Sequence, residues 1–269
     1  MSPGACRRTP PPAGAPLAWA LARTLALLGA LWGAPAMAQP RVVTLTSGEW
    51  APYLSEHAPH QGVASRIVSE AFALEGVSVR YLFRPWKRAY VEAEQGEANG
   101  SVIWGPGPAG STRADSFYYS DSVIEGKTVF FHLRSFAFDW NSYDDLAGLK
   151  VGGTAGYDYL FESDARIKVD RAATDEASFR KLLGERFQIL PSDLYSGLAL
   201  LARRFSAEER ARLSYHRKPY SITQYHLILS RKVPENARLL VLFNRGLQRL
   251  RASGKYAQYL RDLDNPAYR

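Results

Sequence analysis

Three tryptophans, one arginine and one aspartate have the chemistry and spacing of a recognition site. Trp50 lies in Ser47-Gly-Glu-Trp-Ala-Pro-Tyr53, Trp86 follows Pro85, and Trp104 closes Ser101-Val-Ile-Trp104. A flat indole face suits a cation, or the apolar face of a ring or sugar. Arg113 carries a planar fork of donors that meets a carboxylate two-for-two. Asp193 supplies the opposite charge, and Tyr157, Tyr159 and Tyr195 supply phenol hydroxyls. Each has a plainer alternative. The tryptophans serve equally as core packing, Arg113 as a surface arginine, and the tyrosines as half-buried residues. Asp193 suits the first turn of a helix through the helix dipole alone. Arg88, two positions after Trp86, is either a second cationic contact or part of a solvated helix face.

Signatures of catalysis and of cofactors do not develop. Gly105-Pro-Gly-Pro-Ala-Gly110 spells G-x-G-x-x-G. Its prolines remove N–H donors, and an extended segment rather than a helix is expected after it, so no dinucleotide site follows. The histidines His57, His60, His132, His216 and His226 are scattered; only His57-Ala-Pro-His60 is a close pair, and Pro59 marks it as a loop. No metal ligand set emerges, and no cofactor is expected. There is no G-x-S-x-G and no cysteine nucleophile. Were the chain an enzyme, Glu49 and Asp158 would be the carboxylates to nominate besides Asp193. The expectation is a protein that does not catalyse.

The first 38 residues differ from the rest. They hold Arg7, Arg8 and Arg23 but no acidic residue, then the apolar run Thr24–Gly33, then Ala36-Met-Ala38. That order reads as a cleaved secretory signal, and its apolar centre is far short of the roughly 20 residues of a spanning helix. The sole cysteine, Cys6, lies inside it, so the mature chain has no thiol chemistry. Its 231 residues are long enough to bury a core without disulfides. Loss of three arginines takes the net charge from +8 to +5. Lys and Arg are scattered rather than blocked, which argues against nucleic acid as a partner.

The elements that must carry these side chains alternate. Arg41–Thr46, Val77–Leu82 and Ser101–Trp104 read as strands, separated by helices over Val63–Leu74 and Trp86–Gln95. Gly76 and Gly96 stop those helices. Tyr118–Ser120 and Lys127–Leu133 look extended. After a helical turn at Ser142–Leu146, a second α/β run has strands at Leu149–Gly152, Arg166–Val169 and Phe187–Leu190. Its helices cover Thr174–Leu183 and Asp193–Arg204. Ile222–Leu229 is a strand, Asn236–Ser253 a long helix, and a short helix through Tyr256, Tyr259 and Leu260 ends the chain. Two α/β units in tandem suggest two lobes. If two sheets face each other, the loops beyond the carboxyl ends of their strands define one cleft.

The order of motifs resembles the bacterial extracellular (periplasmic) solute-binding proteins of family 3, whose best-known members bind polar amino acids for ABC transporters. The likeness covers nearly all of the mature chain. Trp50-Ala-Pro-Tyr53 is similar to the family's aromatic-Ala-Pro-aromatic loop, which implies that Trp50 covers the ligand. Trp86, thirteen residues before Asn99, stands where the family has an aromatic forming the other wall. Arg113, with Tyr119-Ser120-Asp121 beyond it, resembles the Arg-x5-Phe-Ser segment whose arginine grips a carboxylate. Asp193 matches the aspartate that receives an ammonium. The resemblance implies a type II-like, two-lobed periplasmic-binding-protein fold of α/β class, with the cleft between lobes joined by two hinge segments. Lobe I would be residues 39–125 and 223–269, lobe II residues 126–222, with hinges near Glu125–Lys127 and Tyr220–Thr223. It further implies a periplasmic monomer that captures a small polar organic ligand, amino-acid-like or another carboxylate or cationic solute, by lobe closure. An ABC permease of the inner membrane would be its partner. Trp50, Trp86, Trp104, Arg113, Tyr157 and Asp193 would bind the ligand. The chain departs from the family at Ser47, Asn99, Gly105–Ser111 and Gly156-Tyr-Asp-Tyr159, and an α-amino acid fits these replacements poorly. A dehydratase-like periplasmic enzyme and a ligand-sensing partner of a signalling receptor are the alternatives.

Overall fold

The computed structural model describes Met1, residues 41–107 and residues 113–265. The expected leader, apart from Met1, therefore lies outside the described residues. So do the last four residues of the Gly105–Ser111 stretch.

Strand β1 (Arg41–Ser47) is exposed at its start and buried from Leu45 to Ser47, between β2 and β3, and leads to helix α1 (Val63–Ala73). Val63, Ala64, Ile67, Val68, Ala71 and Phe72 form the buried stripe of α1. Strand β2 (Val77–Phe83) and helix α2 (Trp86–Gln95) follow, with Gly96 closing α2 in the left-handed conformation. Strand β3 (Gly100–Trp104) precedes α3, a single turn at Arg113–Ser116, and then β4, which runs for 17 residues from Phe117 to Leu133. Next come β5 (Val151–Thr154), β6 (Val169–Ala172) and α4 (Asp175–Leu183), whose first turn is capped by the Thr174 hydroxyl accepting from the Ala177 N–H. Strand β7 (Ile189–Asp193) runs directly into α5 (Leu194–Arg204). A short α6 (Ala207–Ala211), β8 (Leu213–Tyr215), β9 (Ser221–Ser230), α7 (Asn236–Ala252) and α8 (Lys255–Arg261) complete the order.

Four expectations need correction. The strands are not two separate sheets: all nine join one hydrogen-bonded network in the order β2-β1-β3-β9-β4-β7-β5-β6, with β8 on β4. Tyr118–Ser120 and Lys127–Leu133 are one strand, not two, because β9 pairs along β4 from Phe117↔Ser230 to Thr128↔Ser221. Strands β5, β6 and β7 begin two or three residues later than periodicity suggests. Their starts are set by parallel partners, Val151↔Val169 and Val151↔Ile189, rather than by local preference. A helical turn, α3, follows the Gly-Pro loop where an extended segment was expected; one turn supplies no phosphate-binding helix terminus, and the prolines still remove donors.

The core divides into separate apolar clusters. The largest draws on Val43, Ile67, Phe72 and Val102 from the first half of the chain and on Leu229, Phe243 and Leu247 from its last third. A second packs Phe131, Phe179, Phe187 and Phe205, and a third packs Phe130, Trp140, Phe161 and Ile189. Among the described residues no helix is long and apolar enough to cross a membrane. Helix α7 lies so tightly on α1 that a Cβ at Gly246 would stand 1.9 Å from the Ala71 carbonyl oxygen. The obstacle is backbone, so the helices must separate. Gly246→Ala is therefore expected to destabilise by about 1–3 kcal/mol and to lower Tm by several degrees. Val241→Ala, on the exposed face of the same helix, is expected to stay within about 0.5 kcal/mol. Thermal melts of both variants check this.

Candidate functional site

The strand ends place the aromatic and acidic residues. Beyond β1 the chain turns through Trp50–Tyr53, fixed by reciprocal bonds between the Trp50 and Leu54 backbones at 2.9 and 3.0 Å. Beyond β7 the chain enters α5 at Asp193, which is both the last strand residue and the helix N-cap. The two meet. The buried Tyr53 hydroxyl donates to the Asp193 carboxylate at 3.1 and 3.2 Å, and the Ser196 N–H donates to its Oδ1 at 2.9 Å. Trp50 packs on Tyr53 with ring centres 4.6 Å apart and on the edge of Tyr225 at 4.9 Å.

Burial dominates the electrostatics here. It pushes the Asp193 carboxyl up to about 6, against the hydrogen bonds from Ser196 and Tyr53 that favour the ionised form. The side chain keeps some exposed surface, but the protein packed around it outweighs that solvent contact. Burial first, and the Asp193 charge second, raise the Tyr53 phenol and push Tyr225 up to about 12. The Tyr157 phenol is raised by burial and by Asp175, to which its hydroxyl donates at 3.3 Å.

A chamber of about 200 Å³ opens here. Trp50, Tyr157, Tyr159, Tyr220 and Tyr225 form its aromatic walls, and Asp158, Asp175 and Asp193 its acidic groups. Thr128, Ser192, Ser196, Ser221 and Thr223 add hydroxyls. A wider groove of about 580 Å³ shares Trp50, Asp175, Ser192 and Ser196 with the chamber and adds Glu49, Glu176, Arg203 and Arg204.

Of the six residues nominated from sequence, Trp50, Tyr157 and Asp193 line this chamber. Trp86, Trp104 and Arg113 line neither cavity and gather in a second cluster. Trp86 lies on Gly48, where any Cβ would overlap its ring, and meets Trp104 edge-on at 5.3 Å. Strand β3 slips register between Ser101 and Trp104, with Ile103 held at φ +39°, and the Trp104 Nε1 donates to Ser101 at 2.8 Å. The Arg113 guanidinium sits 5.1 Å from the Trp104 ring centre and 5.4 Å from that of Tyr90, and donates to the Gly105 carbonyl at 3.3 Å. Gly105 in turn lies against Thr223 and Tyr225, so the clusters adjoin. Arg88 is exposed and pairs with Glu92. Asn99 is structural, accepting from the Thr44 N–H and donating to the buried Asn236.

Sequence reasoning passed over Tyr53, Tyr220, Tyr225 and Asp175 as site residues. Tyr53 stood within a quoted motif. Tyr220 and Tyr225 flank the segment where β9 crosses β4, a long-range pairing with no local signal.

No protein-family model matches the chain, and no curated protein matches it. Solved structures do. A mutant of ArgBP from T. maritima is 18% identical with a TM-score of 0.62, covering 83% of this chain and 95% of that one. A histidine kinase sensor domain with similarity to periplasmic binding proteins is 16% identical at a TM-score of 0.64, over 84% of this chain and 96% of that one. The amino acid ABC transporter substrate-binding protein AbpA from Streptococcus pneumoniae, bound to L-arginine, is 13% identical at 0.62, over 85% and 96%. The chain has the two-lobed α/β fold of the periplasmic binding proteins, as the resemblance to family 3 solute-binding proteins implied.

The raised Asp193 carboxyl has a stability consequence. Its folded value exceeds the unfolded one, so the folded state holds the proton more tightly, and stability from this group is greatest at low pH and falls as pH rises through about 6. At neutral pH the buried charge costs about 2–3 kcal/mol at about 1.4 kcal/mol per unit. Asn caps a helix as well as Asp. Asp193→Asn is therefore expected to raise Tm at pH 7.5 and to match the parent at pH 4. Melting curves at both pH values decide it; a lower Tm for the variant at pH 7.5 contradicts it.

Proposed function

We propose that this chain is a periplasmic solute-binding protein that captures a small polar organic ligand between its lobes and delivers it to an ABC-type importer. The observation that carries this reading is the chamber itself, where the Trp50–Tyr53 loop and the Asp193 helix start converge from distant parts of the sequence. Lobe I is taken as residues 39–125 and 223–269 and lobe II as residues 126–222, after removal of a signal peptide ending near Ala38. The separate apolar clusters support that division, with Val43, Phe72 and Phe243 in one and Phe131, Phe179 and Phe205 in another. The hinges would be Glu125–Lys127 and Tyr220–Thr223, which pair directly through Gly126↔Thr223 and Lys127↔Ile222. Trp50, Tyr157 and Asp193 contact the ligand, whereas Trp86, Trp104 and Arg113 gather beside the chamber and stay outside its lining. Closure follows only where the ligand gains contacts in the closed form.

Mature protein is purified and screened by thermal shift against amines, amino acids, carboxylates and sugars. A ligand that binds the folded state raises Tm by mass action. Trp50→Ala is expected to abolish the shift, because it removes the wall common to chamber and groove. A hit recovered unchanged supports capture; turnover of the hit would make the protein a dehydratase-like enzyme instead. The likeness to a histidine kinase sensor domain favours a second reading, in which a signalling receptor rather than a permease reads the closed form. Pull-down of each membrane partner with and without ligand separates the two.

A further inference from the structure

The chamber's lining has a one-sided charge. Asp158, Asp175 and Asp193 all face it, and no Lys, Arg or His is among the described residues that line it. The partners of these carboxylates are neutral. Asp193 accepts from the Tyr53 hydroxyl and the Ser196 N–H, and Asp175 accepts from the Tyr157 hydroxyl. Asp158 is exposed and makes no hydrogen bond or ion pair among the described residues. Nearby basic groups are engaged elsewhere. Arg171 sits behind Tyr159, tied to Glu162 at 2.7 Å and to the Thr154 and Tyr157 carbonyls at 2.8 Å. Lys127 leans toward Glu125. In the outer groove Arg204 is 3.6 Å from Glu176, and Arg203, which also lines that groove but not the chamber, donates to the Ala199 carbonyl at 3.4 Å.

Aromatic faces complete the picture. Trp50 and Tyr225 meet at an angle of 68°, and Tyr157 and Tyr220 line the same space. Ring faces are negative and attract an ammonium or guanidinium that has left water. They offer nothing to a carboxylate, and three anionic neighbours would repel one. The arginine that could hold a carboxylate, Arg113, stacks on Trp104 and Tyr90 and lines neither cavity.

Resting on the solute-binding reading above, we infer that the ligand is a small organic cation, a diamine or guanidino-amine, and that its capture requires no carboxylate. Asp158 and Asp175 then act with Asp193 as the residues that select charge. Trp50 and Tyr225 cover the cation's apolar stem.

Matched probes test this by titration calorimetry on the mature chain: agmatine against L-arginine, cadaverine against L-lysine, and glutarate as the anion. Each amine retains the cationic end of its amino acid and lacks only the carboxylate. At least one amine is expected to bind as tightly as its amino acid or more so, with no heat from glutarate. Arg113→Ala should leave amine affinity within about threefold, whereas Asp158→Asn with Asp175→Asn should lower it by about tenfold or more. Both aspartates lie at the cleft surface, and an unchanged melting curve confirms that the double variant folds. Binding of L-arginine or L-lysine with both amines at least tenfold weaker overturns the inference, as does binding of glutarate or loss of amine binding in Arg113→Ala. Each of those results leaves solute capture standing. Absence of heat with every probe, and with neutral sugars as well, removes both readings.

Discussion

The pairing of β4 with β9 is the constraint on which the rest depends. These strands exchange backbone hydrogen bonds from Phe117↔Ser230 to Thr128↔Ser221, and every other strand attaches to one of them directly or through a neighbour. The first α/β unit hangs on β9 through β3, and the second hangs on β4 through β7. Backbone hydrogen bonds are obligatory wherever water is excluded, so this ladder fixes the register of both units at once. Gly126, near its Thr128 end, permits a close crossing. A Cβ there would lie 2.7 Å from the Tyr225 ring and 3.2 Å from the Asp193 carboxylate. The ladder and the site thus share a residue with no side chain.

The site differs in kind from the cores around it. The cores are built of Phe, Leu, Ile and Val with almost no polar atoms. The chamber gathers phenols, hydroxyls and carboxylates, and the burial of a carboxylate charge there is unfavourable except as hydrogen bonds offset it. Asp193 shows this most clearly, because its environment works against its charge while Tyr53 and Ser196 partly restore it. Opposition of this kind between burial and charge is common at recognition sites.

Most of the fold was legible because its signals are local. Gly76 and Gly96 stop helices, Thr174 caps one, and Phe243, Leu247 and Leu250 recur at helical spacing along α7. What escaped was non-local. The single sheet could not be read from two α/β runs, since only the β4–β9 ladder joins them. The starts of β5, β6 and β7 depend on partners up to 38 residues away, such as Ile189 opposite Val151. Within the site, side chains in turns that follow strands were legible, hence Trp50 and Asp193. Tyr225 was not, since its place is set by the β4–β9 crossing; Asp175 opens α4 just after β6, where its helix-start position gave it a purely structural explanation. Arg113 shows the reverse limit. Its guanidinium suits a carboxylate and the family resemblance implied such a grip, whereas in the structure it lies against the Trp104 and Tyr90 rings.

Trp50 borders both the inner chamber and the outer groove, and that shared position has a kinetic meaning. On the solute-binding reading, a solute passing between the two spaces crosses a border formed by Trp50 together with Asp175, Ser192 and Ser196. On that reading the indole contributes to residence time and to affinity at once, and a change there moves both. A smaller ring at that position would loosen the grip and lower the threshold for escape together. The wider space beyond it would then behave as an antechamber whose occupants exchange freely with bulk solution.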